Sequence, residues 1–238
     1  MGYVDFHTHI LPALDDGSQN AKMSVEMLKA LRMQGVDTVV ATPHFYPDMM
    51  DPKSFLGRRK ESIDSLLHEL GESRPELPCL CVGAEVAYFD GMSGGDAVKE
   101  LCIEGTNVLL LEMPFCPWGE RELKEVAGLV DRLRITPVIA HVDRYVKYQR
   151  KEVLRRFVRS GAVLQCNAEA FFSVFSRGFA LKTVAEGGII GSDCHDMTRR
   201  APNLKAAVDL IEKRLGREAA DEIAVRSRCL LEEAERFI

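Results

Sequence analysis

Histidines and acidic residues cluster in short motifs along most of this chain. The first motif is DFHTHILPALDDG at residues 5–17, in which His7 and His9 are one residue apart and Asp15 and Asp16 follow closely. In an extended chain both side chains of an H-x-H pair point to the same side, so two imidazole nitrogens can reach one metal ion. The sequence leaves open whether Asp15 or Asp16 is a further ligand, because the other can orient a histidine.

More residues of the same types follow at intervals along the chain. The candidate ligands predicted from the whole sequence are His7, His9, Asp16, His44, Glu85, Glu112, His141, Asp193 and His195. Nine ligands are too many for one ion and suit two or three divalent ions bridged by carboxylates. Such clusters activate a water molecule and hold a phosphate for in-line attack. The remaining histidine, His68, lies in a helical stretch and is expected at the surface.

Short apolar runs that read as strands alternate with amphipathic stretches that read as helices. The predicted strands are 3–6, 37–42, 79–85, 107–113, 136–141, 162–167 and 187–193. The predicted helices are about 20–34, 53–71, 120–134, 150–160, 176–186, 203–215 and 217–237. This alternation predicts parallel β-α units in a closed or nearly closed barrel, with one domain over residues 1–238. The candidate ligands follow the strand ends, which form one rim in a barrel, so we expect them to converge.

Two arginines follow ligand positions closely. Arg144 lies in HVDRY and Arg200 in SDCHDMTRR. The planar guanidinium fork binds phosphate well, so we expect both to contact a phosphorylated substrate. Together with the metal ligands they predict metal-assisted hydrolysis of a phosphomonoester, in which His44 or His195 assists the leaving group. Tyr46 and Tyr88 are candidate pocket walls for a substrate ring or packing residues, whereas Phe45 is expected to pack in the core.

Composition excludes several other classes of protein. The formal net charge of -5 gives no electrostatic basis for binding nucleic acid. No apolar run approaches the roughly 20 residues of a membrane helix, and residues 1–15 contain no signal peptide, so no membrane insertion is expected. None of the seven cysteines forms a C-x-x-C pair, which favours a reducing, cytoplasmic compartment.

The motifs taken together resemble those of the polymerase and histidinol phosphatase (PHP) family. They are H-T-H, D-D-G, T-P-H, G-A-E, E-M, A-H-V-D-R-Y and S-D-C-H, between residues 7 and 195. Over essentially its whole length the chain is most similar to one branch, the manganese-dependent protein-tyrosine phosphatases of bacterial capsule and exopolysaccharide operons. The resemblance implies a distorted seven-stranded (β/α)7 barrel with three metal ions, manganese being favoured and iron or zinc also suiting the ligands.

The resemblance also implies roles for individual residues. It divides the ligands among three ions, as His7, His9, Glu85 and Asp193; Glu85, Glu112 and His141; and Asp16, His44 and His195. Arg144 and Arg200 stand where the branch has its phosphate-binding arginines. The implied partner is a bacterial tyrosine kinase with a tyrosine-rich tail. Many branch members form rings through a Glu-rich first helix, which here reads QNAKMSVEMLK, so a large ring is not expected and a smaller oligomer stays open.

Three alternatives use the same residues differently. Cys194 and Arg200 have the C-x₅-R spacing of cysteine-dependent tyrosine phosphatases, but the intervening HDMTR has no glycine for an anion-binding loop. A second alternative keeps the metals and takes histidinol phosphate or another small phosphoester as substrate. The third is a scaffold that binds metal and docks on a kinase without catalysis.

Overall fold

The structure is a computed structural model that describes residues 2–71 and 76–238. Within these residues the strands are β1 Tyr3–Thr8, β2 Val36–Ala41, β3 His44–Phe45, β4 Cys79–Val82, β5 Glu85–Ala87, β6 Val108–Glu112, β7 Thr136–Ile139, β8 Val163–Asn167 and β9 Ile189–Gly191. The α-helices are α1 Ala21–Met33, α2 Pro52–Leu70, α3 Glu120–Asp131, α4 Lys151–Arg159, α5 Arg177–Ala185, α6 Leu204–Leu215 and α7 Arg217–Leu230. Strands and helices therefore alternate as the sequence predicts.

All strand pairs are parallel, and together they form a curled sheet. The pairing orders are β1-β2-β4 and β3-β5-β6-β7-β8-β9. Two backbone hydrogen bonds join these groups, from Gly83 to the carbonyl of Ala41 at 2.8 Å and from Glu85 to that of Pro43 at 2.9 Å. After β9 the chain returns to β1, where Asp193 donates its N–H to the carbonyl of His7 at 2.8 Å.

The strands are apolar on both faces, as parallel strands covered by helices must be. In β6, Val108 and Leu110 belong to a cluster on the inner face of the sheet, whereas Leu109 and Leu111 pack beneath the helices. Leu231 and Ala234, beyond the last helix, complete the inner cluster. Because this core is apolar, polar side chains lie at the carboxyl ends of the strands.

A bulge in β1 sets the direction of the histidine side chains in the first motif. Asp5 pairs with Val39 and Thr8 with Ala41, so β1 spans three residues where its partner spans two. Such a bulge shifts the alternation of side chains. Beyond the inward-facing Phe6, His7 and His9 are consequently both turned toward the inner end of the sheet.

Two sequence predictions of structure need correction, and two details are confirmed. The predicted strand 37–42 is confirmed as β2, although the short strand β3 that follows it was not predicted. The predicted strand 79–85 is interrupted and gives β4 and β5. The predicted helix 217–237 ends at Leu230, because Phe237 donates instead to the carbonyl of Leu80 at 2.9 Å and packs on the core. His68 is exposed, as expected.

The described residues include no helix that is both long and apolar enough to cross a membrane. All seven cysteines fall within the described ranges, and each is a free thiol.

Candidate metal centre

The candidate ligands lie together at the carboxyl ends of the strands. Glu85 is at their centre, fully buried, with both carboxylate oxygens close to imidazole nitrogens. Its Oε2 lies 3.1 Å from Nε2 of His7 and 3.2 Å from Nε2 of His9. Its Oε1 lies 2.7 Å from Nε2 of His141. These residues come from three separate motifs of the sequence.

The first group of ligand atoms is completed by Asp193. Its Oδ1 lies 3.5 Å from Nε2 of His7 and 3.4 Å from Nε2 of His9, and these two nitrogens are 3.1 Å apart. Such mutual distances are those of atoms that each stand about 2.1 Å from one shared ion. Atoms of His7, His9 and Glu85 therefore lie close enough together to hold one ion, and Asp193 adjoins them through both histidines.

Two further groups adjoin the first. His44, Glu85 and Glu112 form one, and Oε1 of Glu112 also lies 3.5 Å from Nε2 of His141. The other consists of His9, Asp16, His44 and His195. In it, Oδ1 of Asp16 lies 3.5 Å from Nε2 of His44 and 3.4 Å from Nε2 of His195. The structure thus brings all nine predicted ligands into one cluster.

Neighbouring groups fix which nitrogen of each ring faces the cluster. Nδ1 of His9 donates to Asp15 Oδ2 at 2.7 Å, which leaves Nε2 free to bind an ion. Asp15 thus orients His9, whereas Asp16 is part of a ligand group. Nδ1 of His7 lies 3.3 Å from Oε1 of Gln165, and that oxygen also accepts the backbone N–H of His141 at 2.7 Å.

Sequence reasoning missed Gln165 and its neighbour Asn167. Nδ2 of Asn167 donates to Oδ2 of Asp193 at 2.7 Å, and Nε2 of Gln165 donates to the side-chain oxygen of Asn167 at 3.1 Å. Both lie in β8, two residues apart in the otherwise apolar run AVLQCN, and both are buried. Two polar residues that alternate within an otherwise apolar strand were the signal that could have identified both as site residues.

The backbone at the site adopts unusual conformations. His141 has a φ of 33° and Asp193 a φ of 55°, in the left-handed region that L-residues rarely occupy. Gly17 of the D-D-G motif approaches His9 so closely that an added Cβ would lie 2.2 Å from the His9 carbonyl oxygen. Strain and close approach at these positions are maintained by the surrounding structure, as is typical of functional sites.

The two arginines lie at the edge of the cluster. Nη2 of Arg144 is 2.6 Å and Nη2 of Arg200 is 2.7 Å from Oδ2 of Asp193, whose other oxygen faces the histidines. Nη1 of Arg200 also donates to Nε2 of His195 at 2.7 Å. The side chains of Arg144 and Arg200 are 37% and 35% exposed, so both border the solvent-accessible mouth of the site.

The electrostatics favour cations in the cluster. Burial alone would lower the pKa of His9, but its hydrogen bonds to Asp15, Asp193 and Glu85 raise this pKa well above the usual value. Burial raises the pKa of Glu112, and the nearby Glu85 carboxylate raises it further. Buried carboxylates that hold protons on neighbouring imidazoles bind metal cations in competition with those protons.

The donor set fits divalent metal ions. Imidazole nitrogens and carboxylate oxygens suit manganese, iron and zinc. Nδ1 of His44 is buried without a hydrogen-bond partner among the described residues, although it lies 3.1 Å from Oε2 of Glu85. A nitrogen and an oxygen that approach this closely without good hydrogen-bond geometry are compatible with two ligands of a common ion. Ligand roles for individual residues stay predictions.

Cys194 has none of the features of a nucleophile. The side chain is buried, and desolvation raises the pKa of its thiol well above the usual value. A phosphate-attacking cysteine needs the opposite, a lowered pKa and access to solvent.

Comparison with known proteins shows the family of the chain. The family model described as capsular polysaccharide synthesis, CpsB/CapC, matches residues 3–231. The chain belongs to the CpsB/CapC family.

Named relatives match over most of their length. The chain is 28% identical to the tyrosine-protein phosphatase YwqE of Bacillus subtilis, over 96% of this chain and 91% of that protein. It is 30% identical to a putative tyrosine-protein phosphatase CapC of Staphylococcus aureus, over 85% and 80% of the two chains. A crystal structure from a study of YwqE and of CpsB from Streptococcus pneumoniae, described as metal-dependent tyrosine phosphatases, matches with a TM-score of 0.82 at 26% identity, over 98% and 96% of the chains.

We expect Asp15 and Asp16 to affect metal binding differently. Asp15→Asn removes the charge that orients His9 and should weaken metal affinity about 10- to 100-fold at unchanged stoichiometry. Asp16→Asn removes a ligand atom and should lower the number of bound ions. Both quantities follow from calorimetric titration of the metal-free protein with Mn²⁺ and from elemental analysis. Asp64→Asn, on the exposed face of α2, is the control; equal behaviour of all three variants would contradict these roles.

Selective inactivation of the enzyme distinguishes a thiol mechanism from a metal-dependent one. Because Cys194 is buried with a raised thiol pKa, iodoacetamide at pH 7.5 should leave phosphatase activity unchanged over an hour. A chelator should abolish it, and added Mn²⁺ should restore it. Loss of activity that tracks alkylation of Cys194, measured by mass spectrometry, would favour the thiol mechanism.

Proposed function

We propose that this chain is a metal-dependent phosphatase that removes phosphate from phosphotyrosine in a protein, the activity that its relatives' names state. The observation that carries the proposal is the contact of Arg144 and Arg200 with Asp193, at the edge of a buried cluster of imidazole and carboxylate groups. Guanidinium forks bind phosphate, and the cluster suits divalent cations. Metal-dependent hydrolysis of a phosphoester requires both the phosphate-binding groups and the cations.

We assign two or three divalent ions to the cluster, with manganese favoured and iron or zinc also compatible. The proposed ligands are His7, His9, Asp16, His44, Glu85, Glu112, His141, Asp193 and His195. The mutual distances of 2.7–3.5 Å among their ligand atoms support this assignment. When bound, the ions would activate a water molecule and neutralise the charge of the phosphoryl group.

Asp193 positions the phosphate-binding groups. One of its oxygens faces His7 and His9, while the other holds Arg144 and Arg200 and accepts from Asn167. Each guanidinium has further N–H groups besides those that bind Asp193. A phosphate that accepts them would lie at the edge of the cluster. Arg144 and Arg200 are therefore proposed to bind the phosphoryl oxygens.

Of the two histidines considered for the leaving group, we favour His44, with one ring nitrogen binding an ion and the other carrying the proton. Burial together with the charges of His9 and Arg200 lowers the pKa of His195 to about 4, so His195 is neutral at neutral pH. A neutral imidazole whose Nδ1 donates to a carbonyl is suited to binding rather than to donating a proton at Nε2. His44 is the more exposed of the two and lies at the mouth.

Two exposed rings favour an aromatic ester over histidinol phosphate as substrate. Tyr46 stacks on His44 with ring centroids 5.2 Å apart and planes 26° apart. Phe115 lies nearly parallel to His141, with centroids 6.3 Å and planes 12° apart. Both His44 and His141 contact Glu85. Tyr46 therefore borders the cluster beside His44, and Phe115 borders it beside His141. A phenyl ring of the substrate can pack on either wall.

The finer description of the fold is part of the proposal. The interrupted pairs β2 with β3 and β4 with β5 count as one strand each, and the contact of β9 with β1 then supports a closed seven-stranded barrel of the PHP type in one domain over residues 1–238. The free cysteines support a cytoplasmic location. We propose the phosphorylated tail of a bacterial tyrosine kinase as the partner substrate.

The decisive test compares substrates side by side. With Mn²⁺, phosphate release from a phosphotyrosyl peptide should exceed release from histidinol phosphate in kcat/KM by at least about tenfold. Phe115→Ala should raise KM for the peptide about 5- to 10-fold, the equivalent of one lost ring contact, and leave histidinol phosphate unchanged. Met33→Ala, at an exposed position on α1, is the matched control. Faster turnover of histidinol phosphate would contradict the proposal, and metal binding without any turnover would favour the scaffold.

A further inference from the structure

A cavity lies away from the metal centre, on the outer face of the sheet between α4 and α5. It has a volume of about 520 Å³, and none of the residues that line it belongs to the cluster. We call it the α4–α5 groove. Its apolar part is formed by Val146, Leu154, Val158, Ala162, Leu164 and Phe179.

The groove exposes part of a strand that the fold ordinarily covers. Parallel strands flanked by helices are buried on both faces. Ile139 and Leu111, which face outward from the neighbouring strands β7 and β6, are completely buried. Leu164, the corresponding residue of β8, is only half-buried, and Val158 on α4 is 43% exposed. The groove therefore leaves apolar surface of β8 and α4 that no helix of the described residues covers completely.

One edge of the groove carries a row of positive charge. Lys151, Arg155 and Arg159 are spaced four residues apart on α4, so they form a single stripe along the helix. All three are exposed. Arg155 has a carboxylate 3.5 Å away in Glu152, whereas among residues 2–71 and 76–238 no carboxylate lies within ion-pair distance of Lys151 or Arg159. Lys182 of α5 adds a cation on the opposite edge, paired with Glu186 at 3.5 Å.

We propose that the α4–α5 groove binds an acidic amphipathic helix of a partner protein. Its apolar side covers Leu164 and Val158, and carboxylates four residues apart face Lys151, Arg155 and Arg159. Helix α4 has nine residues, so the groove accommodates a helix of about 13 Å, or two to three turns. Docking of this kind places anchors at positions i, i+3, i+4 and i+7.

The arrangement of the charges distinguishes this occupant from a lipid. An anionic lipid or fatty acid has its charge at one end of an apolar chain and needs cations at one end of the groove. Here the cations are distributed along the whole length of α4 beside the apolar surface. This pattern matches the regular carboxylate stripe of a helix. The inference is independent of the substrate of the metal centre.

Peptide binding tests the proposal directly. The probe is a fluorescent 18-residue peptide with leucines at i, i+3, i+4 and i+7 and glutamates every four residues on one edge. By fluorescence anisotropy it should bind the full chain saturably, at least about tenfold more tightly than a scrambled peptide of the same composition. Binding should weaken with added salt, because the cation row is exposed.

Matched variants locate the site. Arg155→Glu and Val158→Glu should each reduce affinity about tenfold or more. Arg156→Glu is the control, because this neighbour on α4 pairs with Glu120 and does not line the groove. Metal-dependent phosphate release and the circular dichroism spectrum should be unchanged in all three variants, which shows that each has folded.

Four outcomes would overturn the proposal. Equal binding of the designed and scrambled peptides would show nonspecific association. An equal loss of affinity in Arg156→Glu would place the binding elsewhere. Binding of phosphatidylglycerol vesicles, but not of the peptide, with the same sensitivity to Arg155→Glu would identify a lipid surface. A dimer that Val158→Glu dissociates, measured by light scattering, would identify a second copy as the occupant.

Discussion

The rest of the site depends on the burial of one carboxylate. Glu85 is removed from water, and a buried charge is stable only when it is compensated. Its two oxygens face His7, His9 and His44 on one side and His141 on the other, and these contacts, chiefly the charge of His7, hold the pKa of Glu85 well below its usual value against the effect of burial. Bound cations would stabilise a cluster in which one carboxylate joins several imidazoles.

The fold provides this arrangement by bringing distant motifs to one end of a curled sheet. The bulge in β1 turns His7 and His9 inward, and left-handed backbone at His141 and Asp193 directs their side chains into the same space. Asp193 then connects the cluster to its edge, since its second oxygen holds Arg144 and Arg200. One side chain thus joins the buried cluster to the two partly exposed guanidinium groups.

Much of this was predictable from the sequence, because the ligand types end apolar runs and strand ends share a rim. The helices were located to within a few residues except α7, whose last turns give way to hydrogen bonds with distant backbone at Leu80 and Glu104. Period-two patterning could not show the short strand β3 or the interruption after Val82. Gln165, Asn167 and Phe115 were missed because their roles come from neighbours distant in sequence. The α4–α5 groove was equally invisible, since it depends on how far apart two helices pack.

The most direct test of the central claim is the metal content of Glu85→Gln. Glutamine keeps the size of the side chain and removes the charge shared by the imidazoles. We expect the variant to lose at least one bound ion per chain relative to the wild type, by elemental analysis after dialysis against Mn²⁺, and to lose turnover of the phosphotyrosyl peptide at least about 100-fold. Glu61→Gln, on the exposed face of α2, should change neither. A Glu85→Gln protein with a full complement of metal and undiminished turnover would contradict the account.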